Sequence, residues 1–406
     1  MNYSIFCQKE LMRFLFLIVL LGIETVASLS AQINERVYIE DNTILPEKKG
    51  ELSFEIDNIT FFKNNEYEGD ILKGHTLPGF WLNGKVVYQP LENIKLEGGI
   101  HTLYYYGTKR YPSYAYMDIS SWNPDSYQHG IRLLPFLRAH VSLSKHLDLV
   151  LGDIYGGANH QLILPLYNPE LNLTADPEMG AQLLYKSRFF DADVWVNWQS
   201  FIFKNDIHQE AFTFGLSSKI KYNSTQSDFH FYSPIQVLAQ HRGGEIDTIQ
   251  TNSVNTLMNA AAGIGMDWNA RYRVFKKLTA EFSMLGYYQQ AGKLWPVDDG
   301  TAFHFALTAD VSDFRLKTGY WKGTNFISLF GIPYYGSVST VDQTTVYKDR
   351  STVYAGFEYS RTFGNNYSLG VDVDIYSTKA VGLQNKTSFS AGVYLRINPS
   401  FLLKKY

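Results

Sequence analysis

Ten histidines are the side chains in this sequence best suited to proton transfer or metal binding. Ligands on one strand would have to stand at i and i+2 to share a face, and no two histidines have that spacing. Calcium asks for about six or more oxygens. The segment 156–178 offers Asp153 at its root, then Glu170, Asp176 and Glu178, spread out and interrupted by Pro177. These acids read as solvated loop charges, so neither a metal nor a cofactor is expected. The strongest enzyme-like feature is His241-Arg242-Gly243-Gly244-Glu245. A histidine base needs a nucleophilic hydroxyl within about 2.6–3.2 Å. The nearest serine of matching parity, Ser233, stands eight residues away, about 26 Å at the rise of a strand. No catalytic residue is assigned, and the sequence reads as a non-enzyme.

Charged residues give a clearer pattern. Lys85, Lys95, Arg138, Lys219 and Lys221 share the parity opposite to their apolar neighbours in the N-terminal half. Asp267, Glu281, Glu358, Asp372 and Asp374 do the same in the C-terminal half, interrupted by Arg315, Lys317 and Arg396. Around a water-filled lumen these thirteen would line a pore, a basic wall facing an acidic one, and rings of charge set ion selectivity. The plainer alternative is a polar lining whose charges pair locally.

Strands must hold these residues, because the apolar pattern has a period of two. Leu369, Val371, Val373 and Ile375 alternate with Gly370, Asp372, Asp374 and Tyr376; Val353, Ala355 and Phe357 alternate with Tyr354, Gly356 and Glu358. Such alternation marks strands with one apolar and one polar face. Most segments run about 9–14 residues, enough for a tilted membrane strand of about 9–11 and longer than a common soluble strand of about 5–6. Short turns near 90–93, 145–147, 187–191, 223–227, 271–277, 311–313 and 364–366 alternate with longer loops near 64–78, 108–130, 156–178, 204–210, 243–255, 290–301, 324–350 and 378–386. That rhythm describes an all-β, antiparallel, up-and-down transmembrane barrel of about 16 strands, with short periplasmic turns and long outer loops. The fifth strand is irregular: Leu147, Leu149 and Leu151 run into Asp153, which predicts a bulge or an early exit. Aromatic residues make up 16% of the chain. Tyr104, Trp198, Phe212, Tyr288 and Tyr320 fall at loop ends, and Tyr88, Tyr185, Trp268, Phe314 and Tyr367 at turn ends, as two headgroup belts would require.

The N-terminus supplies the address. Arg13 precedes the apolar run Phe14–Ile23, and small residues follow at Ser30-Ala31-Gln32, the order of a signal peptide over 1–31, with Met12 as an alternative start. That run is too short for a membrane helix of roughly 20 residues. Residues 32–49 are expected as a periplasmic segment and 50–406 as the barrel. The single Cys7 precedes the apolar run, which leaves the exported part without thiol chemistry. A net charge of −3 gives no basic surface for nucleic acid.

The exported start, the alternating strands, the turn and loop rhythm and the aromatic end (Phe401, Tyr406) resemble bacterial outer-membrane porins across 50–401. The segment Gly152-Asp153-Ile154-Tyr155-Gly156-Gly157-Ala158-Asn159-His160 looks like uncharacterised outer-membrane barrels of Bacteroidetes. The resemblance implies the outer membrane of a Gram-negative bacterium and contact with its lipid and lipopolysaccharide. It also implies association with further copies or with other outer-membrane proteins. The function it implies is a porin-like channel for passive or weakly selective diffusion of small polar solutes. The alternative is a partner-binding subunit of an export, assembly or uptake complex. Outer-membrane phospholipases keep a catalytic histidine at the level of His241, with a neighbouring serine and asparagine that are missing along this strand, so a hydrolase ranks last. The apolar loop 156–178 either folds into the pore, as the corresponding porin loop does, or caps it together with 324–350.

Overall fold

The computed structural model describes residues 35–105, 131–201, 209–244, 254–342, 344–364, 366–383 and 386–406. The expected signal peptide over 1–31, Glu245 and the expected loop 108–130 therefore lie outside the described residues. The first strands are β1 (Glu51–Glu66), β2 (His75–Leu91), β3 (Ile94–Tyr105), β4 (Arg132–Ser144), β5 (Leu147–Asp153) and β6 (Met179–Lys186). Then come β7 (Phe190–Ser200), β8 (Ala211–Lys221), β9 (Phe229–Arg242), β10 (Asn255–Asn269), β11 (Phe275–Ala291) and β12 (Asp299–Val311). The chain ends in β13 (Phe314–Thr324), β14 (Asp349–Phe363), β15 (Tyr367–Ala380), β16 (Lys386–Ile397) and β17 (Ser400–Lys405). From β1 to β16 each pairs antiparallel with its chain neighbour, and β1 pairs back onto both β16 and β17 to close the sheet.

β16 and β17 are halves of one strand, so seventeen segments make a closed barrel of sixteen staves. The break falls at Asn398-Pro399, because proline has no N–H to give the ladder. Its carbonyl still accepts a hydrogen bond from the Ile56 amide at 3.1 Å, which carries the seam across the gap.

Alternation explains both faces. On β14, Val353 is 52% exposed, whereas Tyr354 and Glu358 are buried; on β12, Phe305 is exposed and His304 is buried. An apolar outside and a polar inside fit a barrel crossing lipid, where closure leaves no edge unpaired. All seven short turns fall where the sequence places them. β5, at 7 residues, is the shortest strand of the wall apart from the half-strand β17, at 6. Its backbone turns at Gly152, where φ is +89° and a Cβ would meet the Leu137 carbonyl at 2.1 Å. Asp153, 1% exposed, then accepts a hydrogen bond from the Leu137 amide at 2.6 Å. The expected early exit is there, and its cause is one glycine followed by one carboxylate.

Loops fill the lumen. Segments 154–178, 325–342 and 344–348 pack on each other and on the wall as one apolar cluster that includes Leu162, Leu166, Phe326, Leu329, Tyr335 and the wall's Trp321. They join at the backbone, where the Asn168 amide donates to the Phe330 carbonyl at 2.8 Å. Two wall amides hold them. Gln236 of β9 donates to Gln161 O (2.9 Å) and accepts from Ile163 N (3.0 Å). Asn259 of β10 donates to Ile327 O (2.8 Å) and accepts from Leu329 N (2.9 Å). Each side-chain amide thus treats a loop as a neighbouring strand would, and buried backbone groups are satisfied.

Candidate functional site

The residues expected to line a pore lie on the inward parity, but they do not frame two opposed walls. Lys85 donates to Glu97 at 2.5 Å and to Glu40 at 2.8 Å; Lys95 reaches Glu97 at 3.2 Å; Arg138 grips both oxygens of Glu40 at 2.8 and 3.0 Å. Lys221 pairs with Asp191 (2.7 Å), Asp267 with Lys277 (2.9 Å), Arg315 with Asp310 (2.7 Å) and Arg396 with Asp57 (2.8 Å). Lys317 pairs with Glu358, and Asp372 with Lys63 at 3.1 Å. Lys219 stands 4.3 Å above the Tyr232 ring, whose hydroxyl donates to Glu281 at 3.0 Å. Asp374 makes no hydrogen bond or ion pair among the described residues. Most of the charges that the sequence sets across water from each other are instead paired locally, with wall neighbours or with Glu40 of the N-terminal segment, and Asp374 is the exception.

Within the segment 32–49, the described residues from 35 onward contact the inner wall: Val37 is buried, Arg396 donates to the Val37 and Ile39 carbonyls, and Glu40 sits between Lys85 and Arg138. Burial alone would raise the Glu40 pKa, yet the two cations outweigh it and hold the carboxylate well below the usual range. Both loops fold inward as well, which resolves the choice between constriction and cap.

A cavity of about 260 Å³ lies beneath the outer rim, bordered by Leu134, Leu171, Trp195, Trp198 and Phe330, with Arg132 and Asp176 paired at 2.7 Å. His160 faces it, stacked on Trp195 at 3.5 Å. Its Nδ1 lies 2.7 Å from Asp193 and its Nε2 3.2 Å from Glu178. Burial opposes the charge, but Glu178 and Asp193 outweigh it and push the pKa up to about 10. A protonated ring with both nitrogens engaged cannot accept a proton, so His160 is an anchor and not a base.

The lipid-facing rim holds a different histidine. His241 of β9 stands directly opposite Thr256 of β10, with Nδ1 2.9 Å from the threonine Oγ1. Phe212 of β8 lies 5.0 Å from the imidazole, and Trp198 of β7 stacks on Phe212 at 5.1 Å. The four side chains form one row on adjacent strands, spanning about 14 Å at the usual strand spacing. Other described histidines meet phenols, amides, carboxylates or backbone: His304 with Tyr354 at 3.0 Å, His140 with Tyr155 at 3.1 Å, His101 with Asn83 at 2.6 Å. A search for a hydroxyl along the strand of His241 misses Thr256 because the partner comes from across the ladder.

A family model for lipid A 3′-O-deacylase-type proteins matches residues 44–406. The chain belongs to this family. Membership in the lipid A 3′-O-deacylase-type family overturns the expectation of a non-enzyme, since the family is one of enzymes. The earlier inference rested on a missing serine along one strand, which a neighbouring strand can replace. The family and the closed barrel with its apolar exterior put this deacylase-type chain in the outer membrane. Among solved structures it is similar to Acinetobacter baumannii OccAB3, with 12% identity over 86% of this chain and 99% of that one, TM-score 0.46. It is similar also to the outer membrane protein OprD of Pseudomonas aeruginosa, with 8% identity over 90% and 96%, TM-score 0.40. OmpT of Vibrio cholerae, in its trimer form, gives 12% identity over 86% and 100%, TM-score 0.43. No curated protein sequence matches the chain.

Proposed function

We propose that this barrel hydrolyses an acyl ester of a saccharide lipid in the outer leaflet, the class to which lipid A belongs. The observation that carries this reading is the His241–Thr256 pair on the lipid-facing outer rim, 2.9 Å apart. In the proposed step, His241 takes the Thr256 proton while Oγ1 attacks the acyl carbonyl. The sugar oxygen leaves with that proton, giving an acyl-threonine and a free hydroxyl on the lipid. Water, deprotonated by the same imidazole, then releases the fatty acid and restores Thr256. The aromatic row beside the dyad supports headgroup depth for it, the level at which an acyl ester of a leaflet lipid lies.

Purified protein in lipopolysaccharide-containing vesicles should release fatty acid, read by mass spectrometry of both the acid and the shortened lipid. His241→Ala should slow release by about 10²–10⁴-fold. Thr256→Val should do the same and Thr256→Ser should retain activity. Release that is absent in the native protein, or unchanged in His241→Ala, would remove the assignment.

A second reading, a channel for small polar solutes, is favoured by the cavities that the plug leaves within the lumen. It needs the two loops and Glu40 to move aside. Planar-bilayer recording separates the readings: the plugged geometry leads us to expect no steady conductance from the native barrel.

A further inference from the structure

Asp374 occupies an unusual position. Glu358 of β14 and Asp372 of β15 are direct cross-strand partners, and Asp374 stands one step up the same face, opposite Gly356 and Ser390. Like charges directly opposite each other repel, and two lysines answer two of them: Lys317 for Glu358 and Lys63 for Asp372. Glu170, which also borders this space, is taken by His75 at 3.1 Å and Asn65 at 2.7 Å. Three carboxylates therefore face two ammonium groups, and Asp374 is left over. All three border an internal chamber of about 50 Å³, closed on the other side by the plug and by Tyr38 of the N-terminal segment.

Two residues that line the chamber each carry a polar atom without a partner. Glu358 Oε2 and Ser390 Oγ are buried, with their residues 2% and 1% exposed, and neither has a hydrogen bond. Buried polar atoms are normally satisfied, and a buried charge is normally paired. The unmet capacity is a carboxylate, a carboxylate oxygen and a hydroxyl, one negative charge in excess. Among the described residues no three acidic or histidine side chains converge closely enough to hold a metal ion. An ammonium group suits the unmet acceptors: it carries one positive charge and three donors, which bond to carboxylate and hydroxyl oxygens at about 2.8 Å. Tyr354 and Tyr376 border the same space and can add ring attraction. The volume holds a few waters, so the group that enters is small.

We propose that this chamber binds the protonated primary amine of a small soluble molecule, held by Asp374, Glu358 Oε2 and Ser390. The site lies in the lumen, away from the lipid-facing dyad, and does not depend on the hydrolase reading.

The test uses the full barrel in detergent, its thermal unfolding followed by circular dichroism at constant ionic strength. Methylammonium chloride should raise the midpoint in a saturable way, because a ligand of the folded state stabilises by mass action. Tetramethylammonium chloride, which has no N–H, should not. Asp374→Asn should shift the saturation midpoint at least about ten-fold upward, a loss of about 1.4 kcal/mol. Ser390→Ala keeps every charge and should weaken the response by a smaller factor, which covers the case in which the asparagine variant fails to fold. Equal responses to both salts would overturn the proposal, as would a stronger response to potassium chloride or an undiminished response in both variants. No response in the native protein would mean that a proton on Asp374 balances the charge, and the proposal would fall.

Discussion

His160 takes two carboxylates on one imidazole, and the sign of its pH dependence follows from that. Its folded pKa lies near 10 against an ordinary value of 6.5. Below about 6.5 the ring is charged whether the loop is docked or free, and the full stabilisation is present; it drains away as pH rises through about 10. Protease added to the purified barrel should therefore cut within 156–178 faster at pH 10.5 than at pH 7, whereas His160→Gln should be cut readily at both. Equal protection of the native loop at both values would show that the charge does not anchor it. At this scale the sequence was half legible. Parity put Asp374 and Glu358 inside and His241 outside, since parity depends only on counting along a strand. It could not pair His241 with Thr256 or leave Asp374 alone, because both facts depend on register between strands.

Strand positions divide into lipid face and lumen face, and substitutions test the division. Arginine at Val373 or Val393, both turned outward, should cost roughly 2–4 kcal/mol near mid-membrane, measured by urea unfolding in lipid vesicles. A roomy lumen would make arginine at Gly370 or Ser390 far milder. The structure removes that allowance: a Cβ on Gly370 would come within 2.0 Å of the Tyr394 ring, and Ser390 is 1% exposed. Both should be as damaging as the lipid-face changes. The loops obey a second rule. Asn259→Ala would strand the Ile327 carbonyl and the Leu329 amide, each worth about 1–3 kcal/mol when buried without a partner. Proteolysis within 325–342 should then speed up while the barrel itself resists. The turns were readable because they interrupt a strict alternation. The inward fold of the loops was not, because an apolar loop packs equally well over a mouth or within it. The deciding residues, Gln236 and Asn259, look like any other polar wall position until their partners are known.

For the molecule as a whole, Glu40 ties β2 to β4 through Lys85 and Arg138, and Arg396 of β16 holds the backbone just before it. Glu40→Lys would set three cations together, and ionic current should appear in planar bilayers where the native barrel is silent. Silence in the variant would mean that the two loops close the lumen by themselves. The same belt bears on how fast the barrel can form. Every ladder but one joins neighbours in the chain, while the last must bring together ends that start far apart, as the 357-residue separation of Arg396 and Ile39 shows. Encounters of that range are the slow ones, since loop entropy is lost before any contact is made. The segment before β1, whose Val37 and Ile39 carbonyls accept from Arg396 of β16, should act as a guide wire for that encounter. Arg396→Gln should therefore slow refolding into vesicles while leaving the unfolding rate nearly unchanged, the kinetic mark of a contact already made at the barrier.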